Sequence, residues 1–235
     1  MTNDTNRPVA LVTGATGGMG GEIVADLSRT HRVIATGRSV AALEDLALRT
    51  GCDTAAVDMT DAASLDGLGG SLDRLDVLVH AAAVSRARRV DTADAEDWAL
   101  QLATNVTGPA LLTRAVLPLL RRSAGTVVFI GSGAGTRPVP GSAVYTASKH
   151  ALRGLADVLR IDEAPSRIRV VTIAPGQTDT AMLRDMIATA GGAYEPERYI
   201  RPASVAQAVR FVVDAPADVQ LTDLAVRPRV EVSRL

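Results

Sequence analysis

Tyr145 and Lys149 are the residues whose types and spacing most directly indicate acid–base chemistry. They stand four apart in a segment with helical periodicity, which places both side chains on one face, one turn apart. An ammonium close to a phenol favours the phenolate, so we expect the pKa of Tyr145 to be lowered toward neutrality. Lys149 is the single lysine among 25 basic residues. Because the other basic residues are all arginine, the lysine at this position indicates that a compact ammonium, rather than any cation, is required there.

Ser132 is the third candidate catalytic residue. It precedes Tyr145 by thirteen residues and follows the apolar run Thr126 to Ile130. The carboxyl edge of such a strand is where ligands bind in parallel sheets. Its hydroxyl can donate a hydrogen bond to a substrate oxygen and stabilise negative charge that develops on that atom.

A glycine-rich loop, Thr13 to Gly20, lies between the first predicted strand and the first predicted helix. Glycines allow a tight turn and let the backbone approach a pyrophosphate, which then lies against the helix N-terminus. The loop therefore predicts dinucleotide binding. Its spacing fits two variants of the motif, Gly14-Gly18-Gly20 and Gly14-Gly17-Gly20, and does not choose between them.

Arg38 indicates which dinucleotide is bound. The second predicted strand ends in Ala35-Thr36-Gly37-Arg38, where an NAD enzyme would carry a carboxylate for the ribose 2′-hydroxyl. The guanidinium instead suits a 2′-phosphate, so we expect NADP(H) to be favoured over NAD(H). Asp58, after the third strand, either accepts from the adenine amino group or caps a turn.

The elements that must position these residues alternate along the chain. Apolar runs without alternation predict parallel strands buried on both faces: Val9 to Val12, Arg32 to Thr36, Thr54 to Val57, Val77 to His80, Thr126 to Ile130, Arg169 to Ile173 and Leu221 to Val226. Three-to-four spacing predicts helices between them: Met19 to Arg29, Val40 to Thr50, Ser64 to Leu72, Trp98 to Arg122, Ala143 to Asp162 and Ser204 to Asp214. The fold class is therefore α/β, a Rossmann-type doubly wound parallel sheet of about seven strands with helices on both faces.

The length of 235 residues and the absence of a linker predict a single dinucleotide-binding domain, 1–235. One segment, 180–202, breaks the alternation with a short helix and a glycine-containing loop. A long loop inside a compact domain is usually functional, so we expect this segment, the lid, to cover the substrate.

Charge and composition exclude several other classes of partner. The net charge of −1 argues against nucleic acid, and no apolar run is long enough to span a membrane. Cys52 is the only cysteine, and Met1 to Pro8 lacks the features of a secretory signal, so we expect a cytoplasmic location. We expect a small-molecule substrate and no metal site.

Together these motifs resemble the short-chain dehydrogenase/reductase family from Val9 to about Pro228. The glycine motif, Ser132 and Tyr145-x-x-x-Lys149 occur in the family's order. Asn105 matches the family's helix asparagine that holds a water for proton relay. The segment Pro175-Gly176-Gln177-Thr178-Asp179-Thr180 resembles the one that binds the nicotinamide carboxamide.

The resemblance implies an NADPH-dependent reduction of a ketone or aldehyde. Its catalytic residues would be Ser132, Tyr145, Lys149 and Asn105. Its cofactor-binding residues would be Gly14, Thr16, Gly17, Gly18, Met19, Gly20, Arg38, Asp58, Met59, Ala82, Asn105, Tyr145, Lys149, Pro175, Gly176, Thr178 and Thr180.

The sequence departs from the family pattern in two places. The family's Asn-Asn-Ala-Gly reads His80-Ala81-Ala82-Ala83, and we expect His80 to be a buried structural histidine rather than a base. The C-terminal segment lacks the family's glycine-rich tail. We still expect a homodimer or homotetramer, assembled through the segments Trp98 to Arg122 and Ala143 to Asp162.

Three alternative functions remain open from the sequence. An NAD-dependent secondary-alcohol dehydrogenase is disfavoured by Arg38. A non-catalytic NADP-binding regulator would not need Ser132, Tyr145, Lys149 and Asn105 together. A sugar-nucleotide epimerase fits Gly14-Gly17-Gly20 but typically needs a further substrate domain.

Overall fold

One parallel sheet of seven strands forms the centre of the computed structural model, which describes residues 7–189 and 191–230. The strand order is β3-β2-β1-β4-β5-β6-β7. Because residues 1–6 are not among those described, the prediction that Met1 to Pro8 is not a secretory signal falls largely outside the structure. The strands are β1 Val9–Thr13, β2 Arg32–Gly37, β3 Asp53–Ala56, β4 Val77–His80, β5 Thr126–Ile130, β6 Arg169–Pro175 and β7 Asp223–Val226. The predicted fold class is confirmed.

The central strands are buried on both faces because their side chains are apolar at successive positions. Along β1, Ala10 and Val12 pack into the core beneath one layer of helices. Val9 and Leu11 point to the opposite face and pack into a second core. This period of two explains why the sequence shows a continuous apolar run instead of an alternating one.

The described residues include eight α-helices, of which six cover the two faces of the sheet. The eight helices are α1 Gly18–Leu27, α2 Val40–Thr50, α3 Ala62–Gly70, α4 Ala95–Leu102, α5 Gly108–Ser123, α6 Ala143–Asp162, α7 Ala181–Thr189 and α8 Pro202–Val213. Helices α1, α2 and α8 cover one face of the sheet, and α3, α5 and α6 cover the other. All the predicted strands and helices but one are found within two residues of their predicted bounds.

The exception is the single helix predicted from Trp98 to Arg122, which is wrong in its continuity. The structure begins α4 earlier, at Ala95, and separates it from α5 by a π-helical segment, Ala103–Thr107. Pro109 explains the break, because proline has no N–H to donate to the carbonyl of Asn105 four residues earlier. The interruption falls at a candidate site residue, as π-helical segments often do.

The strand order reverses beside β1, since β2 lies on one side of it and β4 on the other. A crevice opens at such a switch point, outside the carboxyl ends of the strands. Ser132 and the glycine-rich loop both follow strands at this edge. The lid contains α7 and a short 3-10 turn, Pro196–Arg198. Across the described residues, none of the helices is both long and apolar enough to cross a bilayer.

Candidate active site

The glycine-rich loop is shaped by close backbone contacts. Gly14 has a φ of 65°, and a Cβ there would lie 2.6 Å from the backbone of Ala82. A Cβ on Gly20 would lie 2.1 Å from the carbonyl oxygen of Gly14. The hydroxyl of Thr13 accepts hydrogen bonds of 3.2 Å from the backbone N–H groups of Ala81 and Ala82. These positions exclude side chains, which leaves the N-terminus of α1 open to an anion such as a pyrophosphate.

A cleft of about 310 Å³ runs over this loop. Its walls come from the ends of β1, β2, β3 and β4 and from the start of α7, so it lies at the switch point. Eleven of the predicted cofactor residues line it: Gly14, Thr16, Gly17, Gly18, Met19, Gly20, Arg38, Asp58, Met59, Ala82 and Thr180. The other predicted cofactor residues lie outside this lining: Asn105, Tyr145, Lys149, Pro175, Gly176 and Thr178.

Arg38 stands exposed at one end of the cleft and, within the described residues, forms no ion pair. Asp58 lies in the same wall. One of its carboxylate oxygens accepts hydrogen bonds of 2.8 Å from the backbone N–H and the hydroxyl of Thr60. These two bonds, followed by the charge of Arg38, hold the pKa of Asp58 below its usual range. The turn-capping role of Asp58 is thus visible, while an additional contact with adenine stays a prediction.

Ser132, Tyr145 and Lys149 come together near the carboxyl end of β5, outside the lining of this cleft. Ser132 accepts a hydrogen bond of 3.1 Å from the N–H of Ala134, and its hydroxyl lies close enough to that of Tyr145 to affect the pKa of the phenol. The buried Lys149 Nζ donates to the carbonyl of Ile130, at 3.0 Å, and lies 5.7 Å from the ring centre of Tyr145. A hydroxyl, a phenol and an ammonium therefore surround one point at the carboxyl end of β5.

The pKa values of this group differ from our expectation. Burial raises the pKa of Tyr145, and the nearby Ser132 hydroxyl only partly opposes that effect. The predicted lowering of the Tyr145 pKa is therefore wrong for this arrangement. Burial also lowers the pKa of Lys149 to about 8, because its ammonium is enclosed by protein and, among the described residues, has the carbonyl of Ile130 as its single hydrogen-bond partner.

Asn105 occupies the π-helical segment, fully buried. Its side-chain amide exchanges two hydrogen bonds with the backbone of Val84, at 2.8 and 2.9 Å, and donates a third, of 3.0 Å, to the Ser148 hydroxyl. Both amide N–H bonds are thus engaged by protein. The predicted water relay would have to use the main-chain carbonyl of Asn105, which Pro109 leaves without its usual helical donor.

Ser148 is a site residue that the sequence reasoning missed. It is buried, and its hydroxyl donates to the carbonyl of Tyr145 at 2.8 Å while accepting from Asn105. Its position between Tyr145 and Lys149, on the buried side of the helix, could have identified it in the sequence. Serine is so common in helices and loops, however, that its presence alone does not indicate a functional role.

His80 ends β4 as a buried residue stacked on Phe129, with ring centres 4.9 Å apart. Its Nε2 shares a hydrogen bond of 2.8 Å with the Thr113 hydroxyl, and its Nδ1 has no partner within the described residues. Burial lowers the pKa of His80 to about 3, so the ring is neutral near pH 7. A neutral, enclosed imidazole on the side of α5 agrees with the structural role that we expected.

The predicted nicotinamide-binding segment follows β6. The buried Thr178 hydroxyl donates to the carbonyl of Gly176 at 3.1 Å. The Thr180 hydroxyl donates to the carbonyl of Thr178 and accepts from the N–H of Leu183, which caps α7. Its methyl carbon lies 3.2 Å from the position of a Cβ on Gly18, so this segment faces the glycine-rich loop across the cleft. Among residues 7–189 and 191–230, no cluster of histidine, cysteine and carboxylate side chains is arranged to hold a metal ion.

The family model described as short chain dehydrogenase matches residues 8–190, which is most of the chain. The chain belongs to this family. The expected resemblance and enzyme class, an oxidoreductase acting on CH–OH or C=O groups, are thereby confirmed. Family membership also accounts for the order of the glycine loop, Ser132 and the Tyr145–Lys149 pair along the chain.

Several members of the family are similar over nearly the whole chain. An NADP-dependent 3-hydroxy acid dehydrogenase, YdfG of Salmonella typhi, is 33% identical and covers 94% of this chain and 94% of its own. Serine dehydrogenase in its closed form with NADP+ has a TM-score of 0.85 and 31% identity, covering 93% of this chain and 94% of its own. A variant of actinorhodin polyketide ketoreductase with NADPH has a TM-score of 0.88 and 27% identity, covering 95% of this chain and 97% of its own.

Proposed function

We propose that this protein reduces a ketone or aldehyde to an alcohol with NADPH, using Tyr145 as the general acid. The observation that carries the proposal is the grouping of Ser132, Tyr145 and Lys149 beside a cleft whose floor is the glycine-rich loop. A regulator that only binds a dinucleotide needs the cleft but has no use for a proton donor grouped with a hydroxyl and an ammonium beside it.

The residues of the cleft fit NADP(H). The backbone positions at Gly14 and Gly20 admit no side chain, as a bound pyrophosphate requires. The exposed guanidinium of Arg38 is available to a 2′-phosphate. The cofactors named for serine dehydrogenase and the polyketide ketoreductase, NADP+ and NADPH, support this choice over NAD(H).

When bound, NADPH supplies the hydride that reduces the carbonyl carbon. Tyr145 gives its proton to the carbonyl oxygen, and Ser132 donates a hydrogen bond that steadies the same atom. Lys149 keeps a positive charge near the phenol at neutral pH, which stabilises the phenolate left after proton transfer. Asn105 and Ser148 position the turn that carries Tyr145.

The named substrates of the relatives, 3-hydroxy acids, serine and a polyketide, guide the choice of compounds for testing. The arginines that follow β4 do not favour a strongly anionic substrate, because carboxylates on the chain already bind them. Arg86 and Arg88 both bind the buried carboxylate of Asp97, at 3.2 and 3.3 Å, and Arg89 pairs with Asp91 at 3.1 Å. Each of these guanidinium groups therefore already has a carboxylate partner on the chain.

The remaining predictions on organisation are part of the same proposal. We take 1–235 as one domain with 180–202 as its lid, acting in the cytoplasm as a homodimer or homotetramer. The exposed Val158 and Ile161 on α6 support an interface on that helix, since both are apolar and lie on its outer face. The single cysteine, Cys52, is free and buried, as a reducing compartment permits.

A screen of NADPH consumption tests the activity. The panel contains simple ketones, 3-oxo acids, 3-oxoacyl thioesters and quinones, and the alcohol direction is assayed with NADP+ and serine or 3-hydroxy acids. Tyr145→Phe, which keeps the ring and removes the proton, serves as the blank. We expect turnover with at least one carbonyl and a loss of about 10²- to 10⁴-fold in the variant.

Two results would replace this proposal by an alternative. Tighter binding and faster turnover with NADH than with NADPH would indicate an NAD-dependent alcohol dehydrogenase. NADPH binding without turnover on any compound, unchanged in Tyr145→Phe, would indicate a cofactor-binding regulator.

A further inference from the structure

The backbone segments at the two ends of the lid are hydrogen-bonded to each other. The N–H of Asp179 donates to the carbonyl of Ile200 at 2.8 Å, and the N–H of Ile200 donates to the carbonyl of Gln177 at 2.9 Å. Thr178 and Ile200 also pair as a parallel β-bridge. Because its ends are held next to the nicotinamide-binding segment, the lid can open only by movement of α7 and the turn that follows it.

Asp179 contacts both of those parts through one carboxylate oxygen. Arg184, on α7, donates a hydrogen bond of 2.7 Å to this oxygen. Tyr194, beyond the end of α7, donates a hydrogen bond from its hydroxyl to the same oxygen. The guanidinium of Arg184 also lies 5.2 Å from the ring centre of Tyr194. Asp179, Arg184 and Tyr194 thus form a three-way cluster, here called the latch.

The charges of the latch reinforce one another. The hydrogen bond from Tyr194, followed by that from Arg184, holds the pKa of Asp179 below its usual range, so the carboxylate stays ionised. An isolated exposed ion pair contributes little stability. Here the aspartate side chain is only 26% exposed, and the cation is also held by an aromatic face, which adds to the interaction.

The position of α7 connects the latch to the cleft. Thr180, next to Asp179, faces Gly18 across the cofactor cleft, and Met182 lines the same cleft. Farther along the helix, the sulfur of Met186 lies 3.7 Å from the hydroxyl of Ser85, which follows β4. The helix held by the latch therefore covers the space between the glycine-rich loop and the segment after β4.

We propose that Asp179 is a positioning residue that latches the lid closed over the bound substrate through Arg184 and Tyr194. Where it concerns the substrate, this inference rests on the proposed reductase function. Asp179 touches no reacting atom; it acts by setting how tightly α7 encloses the cleft.

The test compares two tyrosine-to-phenylalanine variants within the lid. Tyr194→Phe removes the hydroxyl that bonds Asp179 and keeps the ring beside Arg184. Tyr199→Phe makes the same chemical change on a ring whose centre lies 5.0 Å from that of Tyr194, where the hydroxyl meets only the N–H of Glu195, at 3.5 Å, among the described residues. The thermal midpoint of each variant is measured first, to confirm that both fold.

Limited trypsin digestion measures how accessible the lid is without depending on catalytic activity, since the cleavage sites Arg184 and Arg198 lie within it. We expect cleavage in the lid to be about 3- to 10-fold faster in Tyr194→Phe and within about two-fold of wild type in Tyr199→Phe. With a carbonyl substrate in hand, KM for that substrate should rise by a similar factor in Tyr194→Phe. The double variant Asp179→Asn/Tyr194→Phe should show no more than the larger single effect, because the two residues share one interaction.

Equal cleavage rates in Tyr194→Phe and Tyr199→Phe would contradict the proposed role of the latch. So would a double variant in which the effects of the two single substitutions on the cleavage rate add fully. The digestion result is independent of catalysis. If no carbonyl compound is reduced but Tyr194→Phe still exposes the lid, the reductase proposal fails while the latch stands. If the protein turns over a carbonyl and the lid of Tyr194→Phe is cleaved no faster than that of Tyr199→Phe, the latch fails while the reductase proposal stands.

Discussion

The amide of Asn105 donates a hydrogen bond of 3.0 Å to the hydroxyl of Ser148, across 43 positions of the chain. Ser148 in turn donates to the carbonyl of Tyr145. The π-helical segment is therefore bonded to the helical turn that presents the phenol. The orientation of the Tyr145 side chain therefore depends on Ser148. In the proposed reaction Ser148 touches neither substrate nor cofactor.

Removal of that link should slow catalysis. We expect Ser148→Ala to lower kcat by about 10-fold, because a small misplacement of the phenol is costly in proton transfer. NADPH affinity should change little. Thr146→Val is the matched control, since the Thr146 hydroxyl is buried in the same turn without a hydrogen-bond partner among the described residues. Steady-state kinetics on both variants check this, and equal kcat values would contradict it.

Lys149 should lower the free energy of unfolding near neutral pH while being required for catalysis. Burial lowers its pKa from the ordinary 10.5 to about 8 in the folded protein, so the unfolded chain binds more protons between these limits. The free energy of unfolding should therefore rise with pH in this window, by roughly 3 kcal/mol in total. Lys149→Met should lack this rise and lose at least about 10²-fold in activity. Chemical denaturation from pH 7 to 10.5 measures the difference between the two proteins.

His80 should make the fold sensitive to acid. Its pKa falls from 6.5 to about 3 on burial, so below pH 6.5 the unfolded chain takes up a proton that the folded protein does not. Stability should decrease by roughly 1.4 kcal/mol per pH unit below that point from this group. His80→Asn should show a shallower loss in denaturation curves from pH 7 to 4. His150→Asn controls for loss of a histidine at the surface, and an identical slope in all three proteins would refute the assignment.

Arg38 should decide cofactor choice. Arg38→Ala is expected to weaken NADPH binding by about 10- to 100-fold, through the loss of a charge-assisted contact with the 2′-phosphate. NADH, which has no such phosphate, should bind as before. Arg49→Ala, at an exposed ion pair on α2, is the control. Fluorescence titration with both cofactors measures the four affinities, and a parallel loss for NADH would argue against a phosphate contact.

Adjacent glycines in α1 should respond very differently to a methyl group. A Cβ on Gly20 would overlap the Gly14 carbonyl at 2.1 Å, whereas one on Gly21 would meet the Ala15 carbonyl at an ordinary 3.4 Å. Gly20→Ala should cost about 3 kcal/mol or more and abolish NADPH binding. Gly21→Ala should be neutral or slightly stabilising, as alanine is the better helix former. Thermal unfolding with and without NADPH compares them.

Most of the fold was predictable because buried parallel strands leave a strong local signal. Val77–His80 and Thr126–Ile130 match the predicted strands at both ends. The failure at Trp98 to Arg122 shows the limit of periodicity, which continues across a π-helical segment. Gly108-Pro109 was the available signal, since proline favours the first turn of a helix and cannot bond back to Asn105.

The sequence by itself determined the glycine-rich loop, the one-turn spacing of Tyr145 and Lys149, and the cation at Arg38, because each depends on residue type and local geometry. Only the tertiary structure decided the environment of these groups. Burial raises the pKa of Tyr145 against the expectation drawn from Lys149, and Asn105 reaches Ser148 through packing of distant helices. Desolvation and long-range hydrogen bonds depend on which segments the fold brings together, and no local pattern encodes that.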